Sequence, residues 1–152
     1  MENQHIQALA VYQACEDFLA LGREPQASAA MVAADRQYSI RQGGIYCGIW
    51  LSEIMVGVLD YIPLHHEGRA QSAFINLLLI AAPWRGRGLG RSIITWLETH
   101  LAGSDIDQIW TAVQVNNPAA LAFWQRCGYV IKTAPARQAD GTTTQLLAKP
   151  LA

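Results

Sequence analysis

The stretch Ala82–Ser92 reads APWRGRGLGRS and follows directly on the apolar run FINLLLIA, Phe74–Ala81. Glycines alternate with arginines and a leucine where a strand-like segment gives way to a helical one. Glycine admits backbone conformations closed to other residues, and a helix N-terminus offers unpaired amides with a partial positive charge. Successive amides in a turn make a cradle for an anion. Arg85, Arg87 and Arg91 in the same loop point to a small polyanion.

Three phosphate-loop patterns compete. A Walker loop ends in Gly-Lys-Ser/Thr; here the end is Gly90-Arg91-Ser92, and no glycine stands at the required earlier position. The dinucleotide pattern GxGxxG needs a third glycine where Arg91 or Ile93 stands. The pattern that fits is Arg-x-x-Gly-x-Gly, as Arg85-Gly86-Arg87-Gly88-Leu89-Gly90. The plain alternative is a strand–helix turn whose glycines serve tight packing, which does not require arginines on both sides.

Outward from the loop, the pattern is mixed. Ile6–Leu21 reads as a helix with Val11, Cys15 and Phe18 on one face, ended by Gly22 and Pro25. Ala27–Tyr38 is rich in helix formers. IYCGIWL (Ile45–Leu51) and IMVGVLDYI (Ile54–Ile62) form a hairpin around Ser52-Glu53. Ala73–Ile80 is a third strand whose continuous apolar character predicts burial on both faces. A helix over Gly88–Leu101 carries Leu89, Ile93, Leu97 and Leu101 as a stripe. Ile106–Val115 is a strand, with Ile109, Thr111, Val113 and Val115 on one side. Asn117 caps a helix that opens at Pro118 and closes at Gly128. YVIKTA and TTTQLLA are the last strands, around PARQADG. The result is one α/β (mixed α+β) domain over residues 1–152: a mostly antiparallel sheet of about six strands, one parallel β-α-β pair, and about four helices.

Composition narrows the class. Apolar residues make up 51% and charged residues 15%, which suits a packed core rather than a disordered chain. A net charge of −1 argues against a nucleic-acid partner, which needs a broad basic face. Cys15, Cys47 and Cys127 are scattered without a CxxC pair, so no metal site is expected and a reducing, cytoplasmic setting is. No run approaches the roughly 20 apolar residues of a membrane span, and MENQHIQALA lacks the order of a signal peptide.

With the loop goes a second stretch, NNPAALAFWQRCGY, in which Asn117, Ala120, Phe123, Trp124, Gly128 and Tyr129 fill the pattern Asn-x-x-Ala, an aromatic pair, Gly-aromatic. Together, in this order and with a strand between them, they resemble the GCN5-related N-acetyltransferase (GNAT) superfamily from about Ile45 to the C-terminus. Bacterial members carrying RGxGLG and FWxxxGF are a further likeness.

The resemblance implies an acetyl-CoA-dependent N-acetyltransferase that acetylates a primary amine of a small molecule or peptide. It implies that Leu78, Leu79 and Ile80 pair through their backbone with the pantetheine arm. The amides of Arg85, Gly86, Arg87, Gly88, Leu89, Gly90 and Arg91 would cradle the pyrophosphate, Asn117 would bond the cofactor, Trp124 would lie beside it, and an N–H near Ile80 would polarise the thioester. The acceptor groove would lie between the first two helices and the final hairpin, whose segments LGREPQASA and PARQADGTTT carry no strong charge bias and disfavour polycationic acceptors.

Two departures follow. Trp124 stands where the family's tyrosine acid stands, and Asn76 where a strand carboxylate is common. Neither transfers protons, so the catalytic residues stay open. Glu53 and Asp60 are replacement bases by type, and Tyr129 a replacement donor, but solvated strand charges and core packing account for them as well. His65-His66 lack metal spacing, His100 suits a helix C-terminus, and Trp50, Trp84, Trp96 and Trp110 read as packing residues. The family's opening edge strand is shortened or missing, and a homodimer would cover the exposed edge. The rival to an active enzyme is a CoA-binding module that acts as a sensor or structural subunit.

Overall fold

The computed structural model describes residues 2–22, 24–64 and 69–151. Three helical segments come first: α1 (Glu2–Gln13), α2 (Glu16–Leu19) and α3 (Ala29–Arg41). Then follow β1 (Ile45–Leu51), β2 (Ile54–Ile62) and β3 (Ser72–Ile80), a 3-10 turn at Ala82–Trp84, and α4 (Leu89–Leu101). The chain ends with β4 (Gln108–Gln114), α5 (Pro118–Arg126), β5 (Val130–Ile131), β6 (Ala136–Arg137) and β7 (Thr143–Pro150). The sheet runs β1-β2-β3-β4-β7-β5, with β6 paired to β7. Among the described residues only β3 and β4 are parallel; every other pairing is antiparallel.

The expected architecture is present, with differences that have local causes. The first helix is not continuous: it breaks at Ala14-Cys15, because the Ala14 carbonyl accepts from the Ala82 amide (3.2 Å) and Cys15 leaves helical geometry at φ −120°. A two-residue strand, β6, lies within the segment read as a loop. On β4, Ile109, Thr111 and Val113 are buried as their alternation requires, while Val115 lies past the strand end and is exposed. On α4 the buried stripe is Ile94, Leu97 and Leu101, with Leu89 and Ile93 packed at its margin.

Two cores sandwich the sheet. Against α4 and α5 pack Leu59, Ile75, Ile109, Trp124, Tyr129 and Leu147. Against α1 and α3 pack Val11, Tyr12, Val32, Val58 and Leu79. The second core carries a polar seam. Tyr12 Oη donates to Asp35 Oδ2 (2.9 Å) and lies 2.7 Å from Tyr46 Oη, and Ser39 Oγ donates to Asp60 Oδ1 (2.6 Å). Burial pushes the Asp35 and Asp60 carboxyls up, and Tyr46 up to about 12. Among the described residues no helix is long and apolar enough to cross a membrane.

Candidate active site: a split strand pair over an amide cradle

β3 is hydrogen-bonded to β4 over Ser72–Ile75 only, in register with Gln108–Thr111. There the two strands part. Asn76 is skipped in the pairing with β2, where Asp60 faces Leu77 and Tyr61 faces Ile75, so it forms a bulge. The bulge reverses which face each later residue serves. Ala73 and Ile75 belong to the α4/α5 core, yet beyond Asn76 it is Leu77 and Leu79 that turn to the α1/α3 core. Thr111 Oγ1 donates to the Ile75 carbonyl (3.1 Å) and closes the ladder at the point of separation.

Past the split, the backbone of β3 has one neighbour. The Ala81 amide donates to the Val56 carbonyl (2.8 Å), so by antiparallel alternation Leu79 and Leu77 bond to β2. Leu78 and Ile80 therefore present their N–H and C=O groups to the gap. The Ile80 carbonyl already holds Arg85 Nε (2.8 Å) and the Cys15 thiol (3.4 Å). The Leu78 groups and the Ile80 N–H remain for a ligand. Leu79 differs from expectation: its backbone serves β2 and its side chain is buried in the α1/α3 core.

The gap leads to the glycine loop. Gly86 and Gly88 have φ of +75° and +78°, and an added Cβ at either meets nothing within 4 Å. Their requirement is thus conformational, and the space above them is open. Gly88 caps α4 with no side-chain bond, and no acid sits in the first turn. The amides of Gly88, Leu89, Gly90 and Arg91 are the four that an α-helix leaves without carbonyl partners. Gly90 has a different reason: a Cβ there would stand 3.2 Å from the Phe123 ring, so glycine lets α4 approach α5.

Gap and loop form one cleft of about 1280 Å³. Of the residues singled out in the sequence, Leu78, Leu79 and Ile80 line it from β3, and Gly86, Gly88, Leu89, Gly90 and Arg91 from the loop. Asn117 lines it too, while its Oδ1 accepts from the Ala120 amide (3.1 Å) as the cap of α5. Arg85 reaches the cleft but is committed elsewhere: it forks onto Asp17 (2.6 and 3.1 Å), which holds that carboxyl below its usual range. Arg87 lies outside the lining, folded over the Trp84 ring at 5.0 Å. Trp124 lines the cleft but is a core side chain, 6% exposed, edge-on to Phe123 and Tyr129.

The proton-transfer candidates do not converge. Asn76 lines the cleft at the bulge, with its Nδ2 buried and short of hydrogen-bond geometry to any partner, though near enough to Asp60 to favour that carboxylate's charged form. Asp60 lies behind the sheet surface with Ser39, Glu53 sits in the β1–β2 turn, and Tyr129 donates to Glu98 Oε2 (3.4 Å) in the opposite core. His100 stacks on Trp96 on the outer face of α4. His65 and His66 lie outside the described residues. Among the described residues no group of His, Cys, Asp and Glu is arranged to hold a metal ion.

The sequence did not disclose the roles of Thr111, Asp17 and Phe123. Each acts through a partner distant in sequence, so no local signal marks it.

No curated protein matches the chain by sequence. Among solved structures, an acetyltransferase from Thermus thermophilus is similar at 25% identity, with a TM-score of 0.79, over 98% of this chain and 92% of that one. The ribosomal-protein-alanine N-acetyltransferase from Brucella melitensis superposes with a TM-score of 0.74 at 17% identity, over 99% and 96% of the two chains. A GNAT superfamily phosphinothricin acetyltransferase from Sinorhizobium meliloti, solved in complex with AcCoA, does so with 0.72 at 13% identity, over 99% and 85%. The family model described as acetyltransferase (GNAT) family matches residues 8–129, a span that holds the split strands and the amide cradle, and the chain belongs to that family.

Proposed function

We propose that the cleft binds acetyl-CoA and transfers its acetyl group to a primary amine. The observation that carries this reading is the half-paired end of β3 running into the cradle of Gly86–Arg91. A linear amide-bearing arm is matched by unpaired strand backbone, and a pyrophosphate by helix-terminal amides. Acetyl-CoA supplies a thioester: the amine nitrogen bonds to its carbonyl carbon, the C–S bond breaks, CoA leaves as thiolate and the amine proton is lost to solvent.

The chain's own contribution is positioning and polarisation. The N–H groups of Leu78 and Ile80 face the gap and can donate to the carbonyl oxygen as charge builds there. The α4 N-terminus and Arg91 balance the phosphates. The residue at the bulge, Asn76, does not titrate, and the nearby Asp60 carboxyl is held by Ser39. A thiol with an ordinary pKa near 8.5 leaves without a dedicated acid. Free Cys15, Cys47 and Cys127 suit a reducing, cytoplasmic setting.

Asn76 at the bulge and Trp124 locked in the core favour a second reading, a CoA-binding module without turnover. A thermal-unfolding scan with acetyl-CoA tests the shared part. At about 100 times its dissociation constant the ligand adds roughly 2.7 kcal/mol, so the midpoint should rise by about 5–10 °C. No rise at millimolar acetyl-CoA sinks both readings. A rise without acetylation of any amine in a broad panel selects the second.

A further inference from the structure

We propose that the acceptor is an amine that also carries an oxyanion, and that Arg69 holds this oxyanion at the end of the cleft away from the glycine loop. The proposal rests on the acetyl-transfer reading of the cleft. Before the strands part, the floor of the cleft is the part of the α1/α3 side of the sheet that those helices leave uncovered, with Ile62, Phe74, Ala112 and Leu146 among its lining and Tyr38 of α3 beside it. This floor is uncharged and largely apolar. Arg69, half-buried, lines the same cleft just ahead of β3.

Its guanidinium is pre-positioned. The Cζ stands 4.3 Å from the centre of the Trp110 ring, and Trp110 is in register with Phe74. Stacking of this kind fixes the plane of the fork and leaves its N–H edges for a ligand. Among the described residues no carboxylate comes within ion-pair distance of Arg69; the ion pairs there are Arg85–Asp17 and Lys149–Glu98. The two carboxylates that line the cleft are engaged elsewhere, Asp17 with Arg85 and Asp140 with the Thr142 amide and hydroxyl.

A ligand that covers this floor takes water from the guanidinium. The loss is made good only by an acceptor group on the ligand, and best by a planar or tetrahedral oxyanion. A polyamine would instead bring like charge to it. The level of Phe74 and Trp110 lies two residues before the bulge at Asn76, about 7 Å along the strand. That span suits an amine a few bonds from a carboxylate or phosphonate. It excludes a neutral amine as the preferred acceptor.

The test is binding to the CoA-saturated protein, followed by ligand-observed NMR. The probes are β-alanine and 2-aminoethylphosphonate, against β-alaninamide and ethanolamine. Wild type should bind at least one anion about tenfold more tightly than its neutral counterpart, and which anion binds better identifies carboxylate or phosphonate. Arg69→Gln should erase the difference, and Arg69→Lys should restore part of it. The acetyl-CoA midpoint shift should be the same in all three proteins, which checks that they fold and keep the cradle. Equal binding of anions and neutral amines, no binding of either anion at millimolar concentration, or a preference that survives Arg69→Gln would overturn the proposal. A missing acetyl-CoA shift in wild type would instead overturn the reading of the cleft.

Discussion

The two halves of β3 differ little in composition and entirely in use. Ser72–Ile75 is paired with β4 throughout and, at Phe74 and Ile75, with β2 as well, as ordinary sheet interior is. Leu77–Ile80 is bonded to β2 alone, and its other edge opens on the cleft. Side-chain type hardly separates them, since apart from Ser72 both are apolar. What separates them is one skipped residue, Asn76, and three groups that dispose of carbonyls: the Thr111 hydroxyl on Ile75, and Arg85 and Cys15 on Ile80. Withholding strand partners leaves an edge whose open groups are backbone amides and carbonyls.

The largest effect should come from filling the cradle that the open half leads into. Gly88→Glu forces a side chain into left-handed geometry and puts a carboxylate beside the phosphate position. Acetyl-CoA binding by calorimetry should fall at least about 100-fold, with about 1–2 kcal/mol lost in stability. Normal binding in a folded variant would show that the loop is not the cradle.

A paired substitution probes the two halves directly. Ile109, fully buried on β4 and in register with Ala73, belongs to the closed half. Ile109→Ala should lose about 2–5 kcal/mol and lower the midpoint by roughly 4–20 °C. Leu78→Ala, on the open half and half-buried, should cost less stability and more acetyl-CoA affinity. If both variants lose stability alike and keep affinity, the halves do not differ in function.

The smallest effect concerns the carboxyl beside the bulge. Asp60 pairs with Leu77 across the strands, and burial raises its pKa in spite of Ser39 and Asn76. The folded state therefore holds the proton more firmly than the unfolded one. Relative stability is full below the unfolded pKa of about 3.9 and declines as pH rises through the folded value. Asp60→Asn should match wild type near about pH 4 and exceed it by a few degrees in midpoint near about pH 8. A difference that is constant across that range would mean the buried carboxylate carries no such penalty.

Much is legible in the residue types alone. The glycine loop, the α4 start, the Asn117 cap and the parallel pair follow from residue types acting on their neighbours within a few positions. Positive φ at Gly86 and Gly88 is a property of those residues, and the Ala120 amide lies three residues from Asn117. The fate of individual side chains was not legible. Arg85 reads as a phosphate ligand by position, yet its partner Asp17 is 68 residues away. Cys15 reads as mid-helix, yet its thiol meets the Ile80 carbonyl 65 residues on. Trp124 reads as a cleft residue and is held in the core by Tyr129.

The sequence by itself determined the main elements, their order and the positive-φ glycine turn ahead of α4, because these depend on backbone preferences and short-range periodicity. The split of β3 from β4, the bulge at Asn76 and the stacking of Arg69 on Trp110 were decided only by the tertiary structure. Hydrogen-bond partners across a sheet, and the face a residue turns to, are set by register, and register belongs to the assembled core rather than to any one strand.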